Sequence, residues 1–285
     1  MKFRRLLVVG FFLVALATIF QTKEPLTKWI WTSASYPHLL FGNPTHSQRD
    51  LGQPDNFLIE KKQFALSYNR TNGIPNWVSW QLNKDWLGEA PRQNDFRPDP
   101  DLPDAWSVVT GRDYGGSGFD RGHLVPSEDR GDSINDNSST FVMTNIIPMS
   151  PDNNRGPWEK LESYSRRLVN QGKELYIIAG GDGEGGTGSR GRKTRLGRGK
   201  VLVPARLWKI VVVMESSPGT AGLGAINPDT RVIAVAIPNR MGIANADWRD
   251  FRISVDALED ALGVDFLSNL PSKLQDVLEK RIDKL

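Results

Sequence analysis

Cysteine is absent from this 285-residue chain, and histidine occurs only three times. Without cysteine there is no disulfide framework, no thiolate zinc site and no cysteine nucleophile, so any metal would bind to oxygen or imidazole ligands. A hydrophobic share of 39% and a charged share of 24% are typical of a globular protein and exclude wholesale disorder. The length suffices for one large domain or two modest ones.

The N-terminus has the pattern of a secretory signal peptide. A basic start with Lys2, Arg4 and Arg5 precedes an apolar run, and Ala15-Leu16-Ala17 then offers a small-x-small cleavage site. The alternative is an uncleaved anchor from Leu6 to Phe20, which at 15 residues is short against the roughly 20 that span a bilayer. Either way, we expect the body of the protein to be secreted or periplasmic.

Cleavage after Ala17 would also change the charge balance. It removes three basic residues and no acidic one, so the 36 basic residues fall to 33 and equal the 33 acidic ones. Bulk charge of the mature chain therefore does not argue for nucleic-acid binding. We predict a signal peptide over residues 1–17, a linker over 18–37 and one domain over 38–285.

Hydrophobic patterning predicts a mixed fold. Apolar and β-branched runs predict strands at residues 57–68, 76–82, 141–147, 175–179, 208–214 and 231–237. Periodic patterns with capping signals predict helices at residues 157–169, 254–262 and 271–285. Because these elements are interspersed without repeating βαβ units, the sequence favours an α+β fold with a central, largely antiparallel sheet flanked by helices.

Residues 180–200 are rich in glycine, which predicts a mobile loop. The later half, Arg190–Lys200, holds six basic residues and no acidic one. Two interpretations are open for it: a solvated surface loop, or a local positive patch that guides polyanions.

Two short segments carry the residues that chemistry needs. Asp120-Arg121-Gly122-His123 supplies a histidine, which accepts a proton near neutral pH, and Gly122 lets the backbone approach a neighbour closely. About 30 residues later, Asn154 and Glu162 offer an amide and a carboxylate oxygen, which suit a hard cation such as Mg²⁺. A structural interpretation also exists, with Asn154 capping a helix and Glu162 pairing with Arg166 four residues on.

The order of these motifs resembles one family. Asp120–His123 with Pro126-Ser127, Met143-Thr144-Asn145, and Pro151–Arg155 with Trp158 and Leu161-Glu162 resemble the DNA/RNA non-specific endonucleases of the ββα-metal type. Within that family the chain is most similar to the secreted nuclease A type of cyanobacteria. The similarity extends from His38 to about Asn269, nearly the whole mature chain.

The resemblance implies a ββα-metal nuclease fold and hydrolysis of DNA and RNA with one Mg²⁺, for which Mn²⁺ substitutes. It implies that His123 is the general base and Asn154 the direct metal ligand, while Glu162 holds the metal through water. Arg92 matches the arginine that stabilises the charged transition state. The positions that would assist the site or contact phosphate are Asp120, Arg121 and Arg166.

Several other functions compete with this one. An inactive relative that binds nucleic acid without cutting needs neither base nor metal ligand, so intact His123 and Asn154 argue against it. A polyanion-binding protein would act through Arg190–Lys200. A serine esterase is disfavoured because Ser127 lies near His123 but no Gly-x-Ser-x-Gly elbow is present. A protein inhibitor that protects the cell during export is a further candidate partner.

Overall fold

The structure, a computed structural model, describes residues 37–215 and 222–285. The predicted signal peptide over 1–17 and linker over 18–37 lie outside the described residues, apart from Pro37. The strands are β1 (Phe57–Glu60), β2 (Ala65–Asn69), β3 (Ile74–Leu82), β4 (Asp120–His123), β5 (Ile146–Met149), β6 (Lys173–Asp182), β7 (Gly186–Gly188), β8 (Gly191–Lys193), β9 (Arg195–Leu196), β10 (Val201–Leu202), β11 (Arg206–Glu215), β12 (Arg231–Pro238) and β13 (Arg252–Ile253).

Seven strands form the central sheet in the order β1-β2-β3-β6-β11-β12-β13, and every neighbouring pair is antiparallel. The strands predicted over 175–179, 208–214 and 231–237 are confirmed as β6, β11 and β12, each slightly longer than its apolar run. With the helices, this sheet confirms the predicted α+β fold with a largely antiparallel centre.

The described residues contain one α-helix of three turns and several shorter ones. They are α1 (Ile134–Ser139), α2 (Pro151–Asn153), α3 (Glu159–Asn170), α4 (Val255–Leu262) and α5 (Ser272–Leu278). The helix predicted over 157–169 is confirmed as α3, although it starts later because a π-helical turn, Asn154–Trp158, precedes it. None of these helices combines the length and apolarity needed to cross a membrane.

The two C-terminal helices differ in how well the sequence predicted them. For α4 the Ser254 hydroxyl accepts a hydrogen bond from the Ala257 amide, and Gly263 ends the helix with φ 68°. The helix predicted over 271–285 is wrong beyond Leu278, where the chain continues as irregular structure. There Asp283 is held by a two-pronged ion pair with Arg231, and this contact stabilises the irregular end.

Side chains alternate across the sheet, so each long strand contributes to two cores. On β11, Leu207 and Val211 pack into the core that also contains the α3 residues, whereas Trp208 and Ile210 belong to the core on the other face. Lys209 lies between Leu207 and Val211 and is only 1% exposed. The alternation therefore directs a lysine into the apolar layer beside α3.

Two strand predictions need correction. The run 57–68 forms two strands, because the polar residues 61–63 make a turn in which the Lys61 amide donates to the Phe64 carbonyl over 2.9 Å. The strand predicted over 141–147 begins only at Ile146 and continues through Pro148 to Met149. The earlier residues form a buried turn, in which the Asn145 side chain bonds the backbone of Val125 and Thr140.

The glycine-rich segment 180–200 is not a loop, so that prediction is wrong. β6 runs to Asp182, and β7–β8 and β9–β10 form two short hairpins beyond it. Backbone hydrogen bonds attach the segment to the body: Thr187 N–H donates to the Asn239 carbonyl and Ser189 N–H to the Gly118 carbonyl, both over 2.9 Å. Periodicity did not reveal these strands because they are two or three residues long.

Candidate active site

The site is built on a strand–strand–helix unit. β4 and β5 pair antiparallel, with His123 opposite Ile146 and Asp120 opposite Met149, and the chain then enters α2, the π-helical turn and α3. A Cβ atom added at Gly122 would overlap the Met149 side chain, so glycine is required for the two strands to approach. This confirms the close approach that the sequence predicted at Gly122.

His123 ends β4 and is 8% exposed. Its ring packs edge-on against Phe141, with centroids 4.7 Å apart, and beside Phe96 at 5.4 Å. Burial, together with the nearby cations of Arg92 and Arg121, lowers the pKa of His123 to about 3. The imidazole is therefore neutral at physiological pH, which is the form that accepts a proton.

The buried Nε2 of His123 has no hydrogen-bond partner among the described residues. An orphaned imidazole nitrogen is costly unless a ligand or water completes it. The carbonyl of the same residue accepts a hydrogen bond from the indole of Trp158 over 3.3 Å, which links the strand to the start of α3. The ring is thus held by packing, while its nitrogen stays available for chemistry.

Asn154 lies on the π-helical turn, close to the start of β4. Its amide nitrogen donates to Asp120 over 3.0 Å, and Arg155 grips the same carboxylate with bonds of 2.9 and 2.8 Å. The turn exists because Gly156 adopts φ −114° and ψ −114° against the backbone of Ala244, which leaves no room for a side chain. These contacts orient the Asn154 amide, and its oxygen remains free for a ligand.

Glu162 lies one turn into α3 and is largely buried. Its nearest cation is Lys209, with Nζ 3.5 Å from the Glu162 carboxylate, and the ammonium also stacks 4.0 Å from the Trp158 ring centre. Burial raises the pKa of Glu162 to about 7, which Lys209 and Arg166 oppose. The structural alternative, a surface pair between Glu162 and Arg166, is not what the structure has: Glu162 forms its ion pair with Lys209 of β11.

The arginines surround the histidine. Arg92 donates to the Ser127 hydroxyl over 2.6 Å and lies 5.0 Å from the Phe141 ring centre. Arg121 lies over the face of Phe96 at 4.1 Å. Stacked guanidinium groups keep their planar N–H donors for other partners, which suits phosphate binding.

Arg166, which lies on α3, is anchored by two carboxylates of the segment Ser127–Arg130. It pairs with Glu128 over 2.6 Å and with the buried Asp129 over 3.1 Å. Asp129 in turn accepts a hydrogen bond from the Trp80 indole over 3.0 Å. The anchoring carboxylates neutralise part of the Arg166 charge and fix its position.

The structure brings six of the seven sequence-predicted site residues to one cleft of about 170 Å³. Its lining residues are Arg92, Arg121, His123, Pro126, Ser127, Glu128, Asn154, Glu159, Glu162 and Arg166. The seventh, Asp120, stands behind Asn154 and reaches the cleft through that amide. A wider groove of about 790 Å³ shares Arg92 and Arg166 and continues past Arg167 to Lys84, so cations also line the approach.

Sequence reasoning missed several residues of the site. Arg155, Ser127, Asp129 and Phe141 all contact predicted site residues, but each lies in a segment that has an ordinary structural interpretation. Lys209 is different, because a lysine inside the apolar strand run 208–214 is a detectable signal. A charge in a buried strand predicts a buried partner, although not which one.

The donor set fits a hard divalent cation. Asn154 and Glu162 offer oxygen atoms in the same cleft, and Asp120 fixes the amide by accepting from its nitrogen. Oxygen donors of this kind are those that Mg²⁺ and related ions prefer. The unpartnered His123 nitrogen and the surrounding arginines complete a site for an anionic substrate.

Known proteins share both sequence and fold with this chain. The DNA/RNA non-specific endonuclease family matches residues 42–273. A Nostoc protein named nuclease is 52% identical over 246 residues, which is 86% of each chain. The chain belongs to the DNA/RNA non-specific endonuclease family. This nuclease is also 32% identical to the mouse mitochondrial nuclease EXOG, over 72% of its own length and 55% of the mouse protein.

A solved structure agrees with the fold. A chain in the crystal structure of the EndoG/EndoGI complex superimposes with a TM-score of 0.67 at 20% identity, covering 83% of this nuclease and 92% of that chain. The predicted ββα-metal fold is thereby confirmed. Family membership makes the protein a phosphodiester hydrolase acting on nucleic acid, and it implies a divalent metal cofactor.

Proposed function

We propose that the protein is an exported, Mg²⁺-dependent endonuclease that cuts both DNA and RNA, with Mn²⁺ as a substitute ion. The observation that carries the proposal is the buried, unpartnered Nε2 of His123 in a cleft shared with Asn154, Glu162 and Arg92. A base without a competing partner, next to oxygen ligands and a fixed guanidinium, matches the needs of phosphodiester hydrolysis.

In this mechanism His123 removes a proton from the attacking water molecule. Arg92 and Arg121 place their N–H donors where negative charge develops on the phosphorus-bound oxygens, and their stacking on Phe141 and Phe96 keeps them in position before substrate arrives. Arg166 also lines the cleft and supports phosphate there. Removal of one such cation typically costs about 10²–10³-fold in rate.

Asn154 would hold the metal directly and Glu162 would hold it through water, with Asp120 fixing the amide. A bound divalent cation would neutralise the leaving oxygen and lower the pKa of water that protonates it. The exposed Arg155 forms an ion pair with Asp120 and so helps to fix the carboxylate that orients the Asn154 amide. Lys209 opposes the rise in the pKa of Glu162 that burial causes.

Broad substrate choice follows from the same residues. The cations of the cleft and of the adjoining groove, including Lys84 and Arg167, suit contacts with backbone phosphates. Such contacts position a nucleic acid but read little of its sequence. The groove therefore supports cleavage of DNA and RNA without a base code.

The proposal is tested by digesting closed circular plasmid and structured RNA with Mg²⁺ or with EDTA. Both substrates should disappear only with the metal. Glu162→Gln should raise the Mg²⁺ concentration for half-maximal rate by about 10–100-fold, as loss of an outer partner of a metal site usually does. A folded wild-type protein that cuts neither substrate with Mg²⁺ or Mn²⁺ would instead favour a nucleic-acid-binding module.

Glu159→Gln is the matched control for that titration. Glu159 lies in the first turn of the same helix and also lines the cleft, but its carboxylate is exposed and accepts from the Ser163 hydroxyl over 2.6 Å. We expect its Mg²⁺ requirement to stay within about 3-fold of wild type, since exposed substitutions outside the metal set have small effects. Equal shifts in both variants would contradict the role of Glu162.

Export is the second part of the proposal, and it is supported by the basic and apolar N-terminal pattern. The exported protein should begin at Thr18, which N-terminal sequencing of secreted or periplasmic material determines directly. An N-terminus at Met1 would mean an uncleaved anchor.

A protein inhibitor is a further partner in this proposal, because a nuclease is synthesised inside a cell whose nucleic acids it could cut. The solved EndoG/EndoGI complex illustrates such inhibition for EndoG.

A further inference from the structure

A cluster of carboxylates lies away from the catalytic cleft, where α4 meets the end of α5. Asp256 and Glu259 are three residues apart on one face of α4, and Glu279 directly follows α5. One carboxylate oxygen of each lies within 4.8 Å of the other two. The Asp256 amide also donates to the Glu279 carbonyl over 3.1 Å, so the backbone holds the three residues together.

Glu279 is the unusual member of the cluster. It is 5% exposed, and its shielded Oε1 accepts no hydrogen bond from any group in the described chain. Glu259 by contrast accepts from the Phe266 amide over 2.6 Å. A buried carboxyl oxygen without a partner is costly, and its position beside two further carboxylates adds like-charge repulsion.

The surroundings contain further acids and few cations. Asp265 and Asp276 add negative charge near Glu279, and burial together with these carboxylates raises the pKa of Glu279 to about 8. Within residues 37–215 and 222–285, no lysine or arginine forms an ion pair with the three clustered acids. Lys280, the residue after Glu279, pairs instead with Asp276 in an exposed contact 3.6 Å long. The described residues thus provide no ion-paired counter-charge to the cluster.

We propose that Asp256, Glu259 and Glu279 form a structural Ca²⁺ site. All donors are carboxylate oxygens, without imidazole or thiolate, which favours a hard cation over zinc. Ca²⁺ accepts six to eight oxygens in flexible geometry and takes carboxylates in one- or two-oxygen modes, so three acids with water suffice. Mg²⁺ demands stricter octahedral geometry and keeps most of its water, so it should bind here more weakly.

The site would act on stability and not on catalysis. Val255, Leu258 and Leu278 around the cluster belong to the core on one face of the sheet, whereas His123 and α3 lie over the other face. A cation held by both helices would join α4 to the C-terminal segment, which lacks any disulfide because the chain has no cysteine. Ca²⁺ would thereby stabilise the folded form by binding it selectively.

Thermal unfolding of the full mature protein in EDTA, in Ca²⁺ and in Mg²⁺ tests the proposal. With Ca²⁺ at about 100 times its Kd, Tm should rise by roughly 5–10 °C, and Mg²⁺ should give a smaller rise. Repeating the measurement with Asn154→Ala removes the contribution of metal binding in the catalytic cleft. The rise of Tm in Ca²⁺ should be the same in this variant as in wild type. An identical Tm in Ca²⁺ and EDTA, or a response lost in Asn154→Ala, would overturn the proposal.

Substitutions within the cluster locate the site. Glu279→Gln keeps the side-chain size and relieves like-charge repulsion, so the variant should fold but lose the rise of Tm in Ca²⁺. Asp256→Asn changes a less buried member of the cluster and should also reduce that rise. Asp260→Asn is the matched control, because it removes the same charge from an exposed position of α4 next to Glu259. A full Ca²⁺ response in both Glu279→Gln and Asp256→Asn would refute this assignment.

Discussion

Replacing His123 by alanine should lower the rate of DNA and RNA cleavage by about 10²–10⁴-fold while the protein remains folded. The histidine supplies the only neutral imidazole among the residues that line the cleft. Loss of the base cannot be compensated by the arginines, which stay protonated and accept no proton. The measurement is the initial rate of plasmid nicking at saturating Mg²⁺, with folding checked by circular dichroism.

His38→Ala is the matched control for this variant. His38 is also a buried histidine, 2% exposed, and its ring bonds the Lys62 carbonyl over 2.8 Å and the Gln81 amide over 3.1 Å. Its replacement should cost stability, because two partly buried backbone groups lose their side-chain partner, yet the rate of folded protein should stay near wild type. Comparable rate losses in both variants would show that packing, not proton transfer, explains the effect.

Added imidazole gives a second readout that a purely structural role would not move. In His123→Ala the missing imidazole ring leaves a space beside Phe141 and Phe96, and this space opens to the cleft. Free imidazole should enter that space and restore part of the rate, in proportion to its concentration. An equal rate increase by imidazole in His38→Ala, or no restored rate in His123→Ala at any imidazole concentration, would count against His123 as the base.

Much of the site could be predicted from sequence because its key residues lie in two short segments. Asp120–His123 occupies β4, and Asn154–Glu162 occupies the turn and helix that follow β5, so the pairing of β4 with β5 brings base and metal ligands near each other. Arg92 was recognised only through the family resemblance. Its position depends on a long irregular segment held by Ser127, which carries no periodic pattern.

Hydrophobic patterning did not predict strands that consist of polar residues, and it predicted a strand in an apolar segment that forms a turn. β4 reads Asp-Arg-Gly-His, without apolar alternation, yet it is held by four paired positions on β5. Phe141–Asn145 is apolar enough for a strand, but the Asn145 side chain satisfies three backbone groups and makes a buried turn more stable. In both cases tertiary hydrogen bonds override local propensity.

The partner of Glu162 could not be predicted because it is 47 residues away on another element. Strand alternation places Lys209 on the sheet face that α3 covers. Only the register of the folded sheet decides which acidic residue lies opposite it. A buried lysine in an apolar strand predicts that some carboxylate lies opposite. Breaking this pair should therefore be among the most damaging changes in the protein.

Lys209→Met should destabilise the protein by about 3–5 kcal/mol near pH 8, because it leaves Glu162 buried without its nearest cation. This corresponds to a fall in Tm of roughly 6–20 °C. Arg166 lies on the cleft side and is already paired with Asp129, so it replaces the lost ammonium only in part. Lys173→Met is the matched control, since that lysine pairs with the exposed Glu215 at the end of the β6–β11 ladder and should change stability by about 0.5 kcal/mol or less.

The sign of the pH dependence follows from Glu162. Its folded-state pKa is raised from 4.5 to about 7, so the folded state binds more protons than the unfolded state, and stability falls as the pH rises through this window. Removing the ammonium raises that pKa further and enlarges the fall. The stability gap between wild type and Lys209→Met should therefore be widest near pH 8 and narrow towards pH 5; a gap that is constant with pH would contradict the pairing.

The double variant Lys209→Met, Glu162→Gln separates stability from metal binding. Replacing both charges removes the unpaired carboxylate, and neutral replacements of a buried pair are often close to wild type in stability. We expect most of the lost Tm to return, while the Mg²⁺ requirement stays as high as in Glu162→Gln. Recovery of both properties would mean that Glu162 has no part in holding the metal. Recovery of neither would mean that Lys209 stabilises the fold mainly through its stacking on Trp158, and not through its charge pair.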